Sequence, residues 1–419
     1  MVQWNILMAL FLIAFFSKAL VKWGLSYLNV AHLNRHGGCV PEIFAGDVDG
    51  KTLGRMRDYT VTGSRFSTTE DLFEDGFLLL FLLTGVFVWF DGWVRSWSLH
   101  VVLSAVVFWG LLFLGSTVLK IPFDLYRTFG IEKKYGFSTT TAGLWFSDQL
   151  KSTLISLVLL VVFLSLLFAL MRWTPGSWWL WVWLVFSVFQ LLLSWIYPVL
   201  IAPLFNRFVP VQDEALRGRI FALMQQCGLK AKEIYQVDAG KRSRHTNAYF
   251  TGLGRTKRIV LYDTLLSAHD HEEILSILAH EIGHWKKRHV FRQILTLELF
   301  ALVLLLGIHA LVEWPLLYRT FGFAEATPYV GVFLVVILLE PFLYFLTPVL
   351  SIRARRYERE ADRFAFECIG TGVHLARAMK KLAKDNLANL HPHPLYAWFY
   401  YSHPPLTRRI ADLQKMGKT

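Results

Sequence analysis

The sequence predicts a mainly α-helical integral membrane protein with a smaller α+β domain outside the bilayer. Three observations predict it. Apolar residues make up 54% of the 419 positions and aromatics 16%, a balance that water-soluble domains rarely show. Seven apolar runs are long enough to cross a bilayer, at 4–25, 76–94, 98–119, 154–171, 178–205, 293–312 and 327–350. Two polar segments, 206–292 and 351–419, stand apart from them, and neither could bury much of a core alone.

The first run begins MVQWNILMALFLIAFFSKALVKWGL. It has no basic leader and no small-residue cleavage site, so it reads as a retained helix, although Lys18 and Lys22 interrupt it. The fifth, SWWLWVWLVFSVFQLLLSWIYPVLIAPLF, gathers tryptophans at its start, as an interfacial belt does. Glu298 and Glu340 fall inside the sixth and seventh runs. A charge there is costly and must face a cavity or a partner.

Net charge is +12, and the basic residues alternate with the spans. Segments 26–75, 120–153 and 206–292 and the region from 351 onward are rich in Lys and Arg. The intervening loops hold only Arg95, Arg172 and Arg319. The positive-inside rule places the N-terminus outside and the long basic segments in the cytoplasm. Charge distributed this way reports membrane orientation and lipid contact, and calls for no nucleic-acid partner. Residues 1–205 are then five helices with cytoplasmic loops, and 293–350 the sixth and seventh helices. Segments 206–292 and 351–419 are expected to fold together as one domain. The tail DLQKMGKT lacks a dilysine pattern, which favours a bacterial inner membrane; a eukaryotic host would imply the endoplasmic reticulum membrane. Cys39, Cys227 and Cys368 are odd in number and form no CxxC, so a disulfide framework or a cysteine metal site is not expected.

The chemistry centres on ILAHEIGHWKKRHV, residues 277–290. Asp270 can cap a helix with Glu273 three residues later, and Ile274, Ile277, Leu278 and Ile282 recur at helical spacing. On that helix His280 and His284 share a face and can bind Zn²⁺, while Glu281 is placed to take a proton from an attacking water. The helix is expected to run directly into the sixth span. Catalytic zinc usually has a third protein ligand. RRYEREADRFAFE (355–367) offers Glu358 as that ligand, and Asp362 one helical turn on to accept a hydrogen bond from a ligating histidine. The alternative for this segment is a solvated face of salt bridges with the interspersed arginines. The sixth span leads out and the seventh returns, so both helices emerge on one membrane face and can share a metal. TNAYFTGLGRTKRIVLYDTLL (246–266) reads as a β-hairpin with its turn at Gly252 and Gly254. These features together describe a zincin-like metalloprotease domain.

The sequence also resembles the integral-membrane CAAX prenyl protease 1 family of zinc metalloproteases. The likeness covers nearly the whole chain and rests on RDYTVTGSRFS (57–67), FGIEKKYGFSTTT (129–141), RHTNAYFTGLGRTKRIVLYDTLL (244–266), LAHEIGHW (278–285), RRYEREADRFA (355–365) and YSHPPLTRRI (401–410). It implies seven helices in a barrel around a water-filled chamber, zinc on His280, His284 and Glu358, and Glu281 as general base. It implies a substrate strand along Asn247 and Ala248, with His245 as a further donor, and His403 and Arg409 as catalytic residues near the zinc. It implies cleavage near the C-terminus of prenylated CAAX-type proteins. A host without such substrates would use the enzyme on unprenylated membrane or misfolded proteins. Many members have Asn-x-x-Ser-Arg before the third ligand, where this chain has Ser351-Ile352-Arg353-Ala354-Arg355. A rival reading is a transporter or chamber protein with a structural zinc, which would need a fourth protein ligand.

Overall fold

The computed structural model describes residues 2–229, 233–251 and 258–417. The first half is helical: α1 (Ile6–His36), α2 (Gly50–Leu83), α3 (Val86–Ser96), α4 (Val101–Leu125), α5 (Ala142–Trp173), α6 (Trp178–Ile196) and α7 (Ala202–Phe205). Side chains start them: Asn5 accepts from the amides of Leu7 and Met8, Asp49 from Thr52, and Thr141 from Leu144. Among the described residues, five helices are long and apolar enough to span a bilayer, and seven if each of two bent pairs counts as one span. One bent pair is α2 with α3, turned by 65°. Gly85 makes that bend with φ of 80°, a conformation that costs glycine no Cβ clash.

This pair differs from the sequence reading. The basic stretch before the 76–94 run is not a loop. From Gly50 it is helix, and α2 carries its polar half well beyond the apolar run. Its acids explain the length, because they pair with bases on neighbouring helices. Lys18 binds Asp75 at 3.4 Å and Glu340 at 2.8 Å, Lys22 binds Asp71 at 2.6 Å, and Lys120 binds Glu74 at 2.9 Å. Glu298 accepts from the Ser187 hydroxyl at 2.5 Å. Both intramembrane glutamates therefore meet partners, as their desolvation requires.

The domain outside these spans holds a four-stranded sheet of β1 (Phe208–Pro210), β2 (Glu233–Val237), β3 (Ala248–Thr251) and β4 (Arg258–Tyr262), in the order β1-β2-β4-β3. Strands β2 and β4 are parallel. Strands β3 and β4 are antiparallel, with Ala248 opposite Leu261. The turn expected at Gly252 and Gly254 lies outside the described residues. Of helices α8 (Glu214–Gln226), α9 (Asp263–Ala268) and α10 (His271–Lys286), α9 packs on β4, and α10 packs on β3 and on α8. Then come α11 (His289–Val312), α12 (Pro315–Thr320), α13 (Pro328–Tyr344), α14 (Thr347–Ile369), α15 (Val373–Asp385), α16 (Pro394–Tyr400) and α17 (Leu406–Met416).

There are two cores. One lies among the spans and includes Phe11, Phe15, Phe108, Phe168, Trp178 and Phe333. The other unites both polar segments, through Leu216, Ile259, Leu278, Ile282, Met379 and Ile410, and also takes in Phe44, Leu53, Met56, Ile131 and Phe137 from the first half of the chain. Each fully buried aliphatic side chain here contributes about 1.5–3 kcal/mol. The thiols of Cys227 and Cys368 meet in this second core, with sulfurs 2.8 Å apart as free cysteines.

Candidate metal centre and active site

The site is built on α10. Asp270 accepts from the Glu273 amide, and the Glu273 carboxylate accepts from the Asp270 amide, closing a capping box. Glu273 is fully buried, and its charge is met by Arg377 at 2.7 Å and Lys381 at 2.8 Å. Ile274, Leu278 and Ile282 are buried at four-residue spacing and fix the rotation of the helix. His280 and His284 consequently face α14. The two helices pack closely because of Gly283: a Cβ there would lie 3.0 Å from Ala361 Cα and 3.1 Å from Phe364 Cβ.

Glu358 and Asp362, one turn apart on α14, meet the histidines. Nε2 of His280 and Nε2 of His284 are 3.2 Å apart. Glu358 Oε2 is 3.4 Å from His280 Nε2, and Glu358 Oε1 is 3.2 Å from His284 Nε2. A tetrahedral zinc with bonds of about 2.0 Å spaces its ligands by about 3.3 Å. The two imidazole nitrogens and the Glu358 carboxylate therefore fit the edges of a zinc site, and these residues are the one such group among the described residues. The electrostatics agree. Burial disfavours an imidazolium at His280, yet hydrogen bonds to Asp362 and Glu358 outweigh it and raise its pKa to about 9. Burial would raise Glu358, but hydrogen bonds from His280, His284 and His403 hold it far below the usual carboxylate range. The cluster attracts a positive charge at its centre.

The supporting groups are equally specific. Asp362 Oδ1 is 2.8 Å from His280 Nδ1, which leaves Nε2 free to ligate. Arg409, from α17, is 8% exposed and donates to both Asp362 oxygens, at 2.9 and 2.6 Å. Its Nη2 also lies 3.3 Å from Glu358 Oε2. The sequence reading placed Arg409 with the catalytic residues; here it faces the carboxylates from behind. His403 is more open, with Nε2 3.2 Å from Glu358 Oε1 and Nδ1 2.9 Å from Ser402 Oγ. Glu281 is half-buried, and its carboxylate makes no hydrogen bond among the described residues.

Strand β3 is the outer strand of the sheet and packs against α10. Asn247 accepts from the Tyr262 amide through its carbonyl and covers the Ala248 amide with its own Oδ1 at 2.8 Å. His245, expected as a donor to substrate, is engaged elsewhere. Its Nδ1 meets Asn386 Oδ1 at 2.7 Å, its Nε2 lies 3.4 Å from Glu132, and its ring stacks on Phe137. It ties the sheet domain to the end of the third membrane span.

Comparison with known proteins agrees with this geometry. Residues 29–207 match the family model described as CAAX prenyl protease N-terminal, five membrane helices, and residues 210–417 match Peptidase family M48. CAAX prenyl protease 1 of Saccharomyces cerevisiae is 31% identical, over 100% of this chain and 96% of that protein. The chain belongs to the CAAX prenyl protease 1 family. The human CAAX prenyl protease 1 homolog is 29% identical over 90% of this chain and 89% of its own. The crystal structure of S. mikatae Ste24p superposes with a TM-score of 0.91 at 29% identity, covering 98% of this chain and 99% of that one. This CAAX prenyl protease relative is thus a multi-pass membrane metalloendopeptidase of family M48.

Two supporting groups escaped the sequence reading. They are His289 and Glu360. His289 lies directly behind His284, and Glu360 behind His289. The only sequence signal was a third histidine five residues after the second.

Proposed function

We propose that this protein is a zinc endopeptidase that cleaves prenylated CAAX-type proteins near their C-terminus. The observation that carries the reading is the grouping of His280, His284 and Glu358 at tetrahedral spacing, with the carboxylate-bearing Glu281 next to His280 on the same helix. Zn²⁺ bound there would polarise a scissile carbonyl and acidify water. Glu281 would accept the proton of the attacking water and pass it to the leaving nitrogen. His403 would donate a hydrogen bond to the oxygen that becomes negative. The open edge of β3 would hold the peptide as an added strand, with Asn247 releasing the Ala248 amide to it. Arg409 and Asp362 would orient the ligands without touching substrate.

The chain of basic segments supports a site facing the cytoplasm, where prenylated tails are presented. A cavity of about 490 Å³ lies between α1, α2 and α16, lined in part by Lys22, Asn29, Ser64, Asp71 and Tyr400. The test is cleavage of a farnesylated CAAX peptide by the purified protein in detergent, beside Glu281→Gln and a chelated sample. Metal-dependent release of the C-terminal residues, lost in Glu281→Gln with zinc retained, supports the reading. Cleavage of unprenylated membrane proteins alone would replace prenylated tails with a quality-control role. Bound zinc with no cleavage of either would sink the protease assignment.

A further inference from the structure

His284 differs from His280 in what lies behind it. Asp362 accepts directly from His280 Nδ1. Among the described residues, what lies behind His284 is a second imidazole and not a carboxylate. His289 Nδ1 is 3.1 Å from His284 Nδ1, and His289 Nε2 is 3.0 Å from Glu360 Oε2. His289 is 3% exposed, and its ring stacks on Tyr357 at 4.2 Å with planes 12° apart. Arg356 holds the other Glu360 oxygen at 3.0 Å. The arrangement depends on a break in the chain. Arg288 adopts φ 56° and ψ 34°, which ends α10 and folds His289, the first residue of α11, back beneath His284.

The proton positions in this row follow from one requirement. To ligate through Nε2, which faces His280 and Glu358, a neutral His284 must carry its proton on Nδ1. That proton points at His289 Nδ1, which must then be bare to accept it. The His289 proton therefore sits on Nε2 and is donated to Glu360. A single run of donors and acceptors, Glu360 to His289 to His284, fixes the tautomer and the ring orientation of the ligand. We propose that His289 is the positioning residue for the metal ligand His284, and that through it the membrane helix α11 is mechanically joined to the metal centre. The proposal rests on His284 being a ligand and is independent of which peptide is cut.

Zinc affinity of the full-length protein, by chelator competition, tests it, with absorption of the Co²⁺-substituted protein as a second readout. His289→Phe keeps a ring on Tyr357 but neither hydrogen bond. It should weaken zinc by about 10–100-fold, the usual effect of losing such a partner, and shift the cobalt bands. His289→Asn places an acceptor oxygen near the Nδ1 position and should recover most of the affinity. The metal-free proteins should melt alike. Wild-type affinity and cobalt spectrum in His289→Phe would overturn the proposal while leaving the ligand assignment standing. So would equal losses in Phe and Asn variants that also melt lower without metal. A wild-type protein that binds no zinc would overturn both.

Discussion

Arg409 grips Asp362 through two hydrogen bonds, Nε to Oδ2 at 2.9 Å and Nη2 to Oδ1 at 2.6 Å, in a pocket almost closed to solvent. Asp362 in turn holds His280. A guanidinium fork matches a carboxylate in a way that an ammonium cannot. Arg409→Ala would leave Asp362 and Glu358 buried without their counter-charge, and such a loss typically costs about 3–5 kcal/mol. We expect a large fall in melting temperature and zinc content, with Arg409→Lys recovering only part. Unchanged zinc content in Arg409→Ala would rule out the positioning role.

Gly283 sets the spacing of α10 and α14. A methyl group there meets Ala361 Cα at 3.0 Å and Ala361 O at 3.1 Å, both backbone atoms that cannot swing aside. Gly283→Ala should cost about 1–3 kcal/mol, the usual penalty for overpacking. It should also separate the histidines from Glu358. Thermal melts and metal analysis would show both effects; normal values of both would mean the helices are not limited by this contact.

Arg355 binds the carbonyl oxygens of Ala397 at 3.3 Å and Tyr401 at 2.6 Å, and Ser351 donates to that of Phe399 at 3.1 Å. These residues of α14 hold the end of α16, just before His403. Arg355→Ala should therefore lower kcat about tenfold or more, the lower range for a misplaced catalytic group, while zinc remains bound. A variant with normal turnover would show that His403 is placed by other contacts.

His245 carries a pH signature. The hydrogen bond His245 donates to Glu132 outweighs partial burial and raises its pKa above the ordinary histidine value of 6.5. The imidazolium therefore stabilises the fold fully below 6.5, and that contribution is lost as pH rises through the raised value. His245→Phe should melt lower than wild type at pH 6, with the gap narrowing by pH 9. A gap that stays constant or widens would mean that the His245 charge plays no part.

The residues differ sharply in how legible they were. His280, His284, Glu358 and Asp362 could be read because each pair is four apart on a helix, so sequence spacing is spatial spacing. Asp270 and Glu273 formed the expected capping box for the same reason. His289 could not be read, because its position depends on Arg288 entering the left-handed region, where the reading ran α10 straight into α11. The polar half of α2 was missed because Thr, Ser and Gly in RDYTVTGSRFS are weak helix formers, and ion pairs to other helices stabilise it there. Cys227 and Cys368 are distant in sequence, and only the folded core brings their sulfurs together.

The order of the site along the chain has a consequence for biosynthesis. His280 and His284 precede the sixth span, Glu358 follows the seventh, and Arg409 comes from a still later helix. A ribosome must release both spans into the bilayer, and the chain as far as α17, before the centre can close. A half-inserted molecule therefore has no complete metal cage, and the nascent protein cannot digest its neighbours while it is being made.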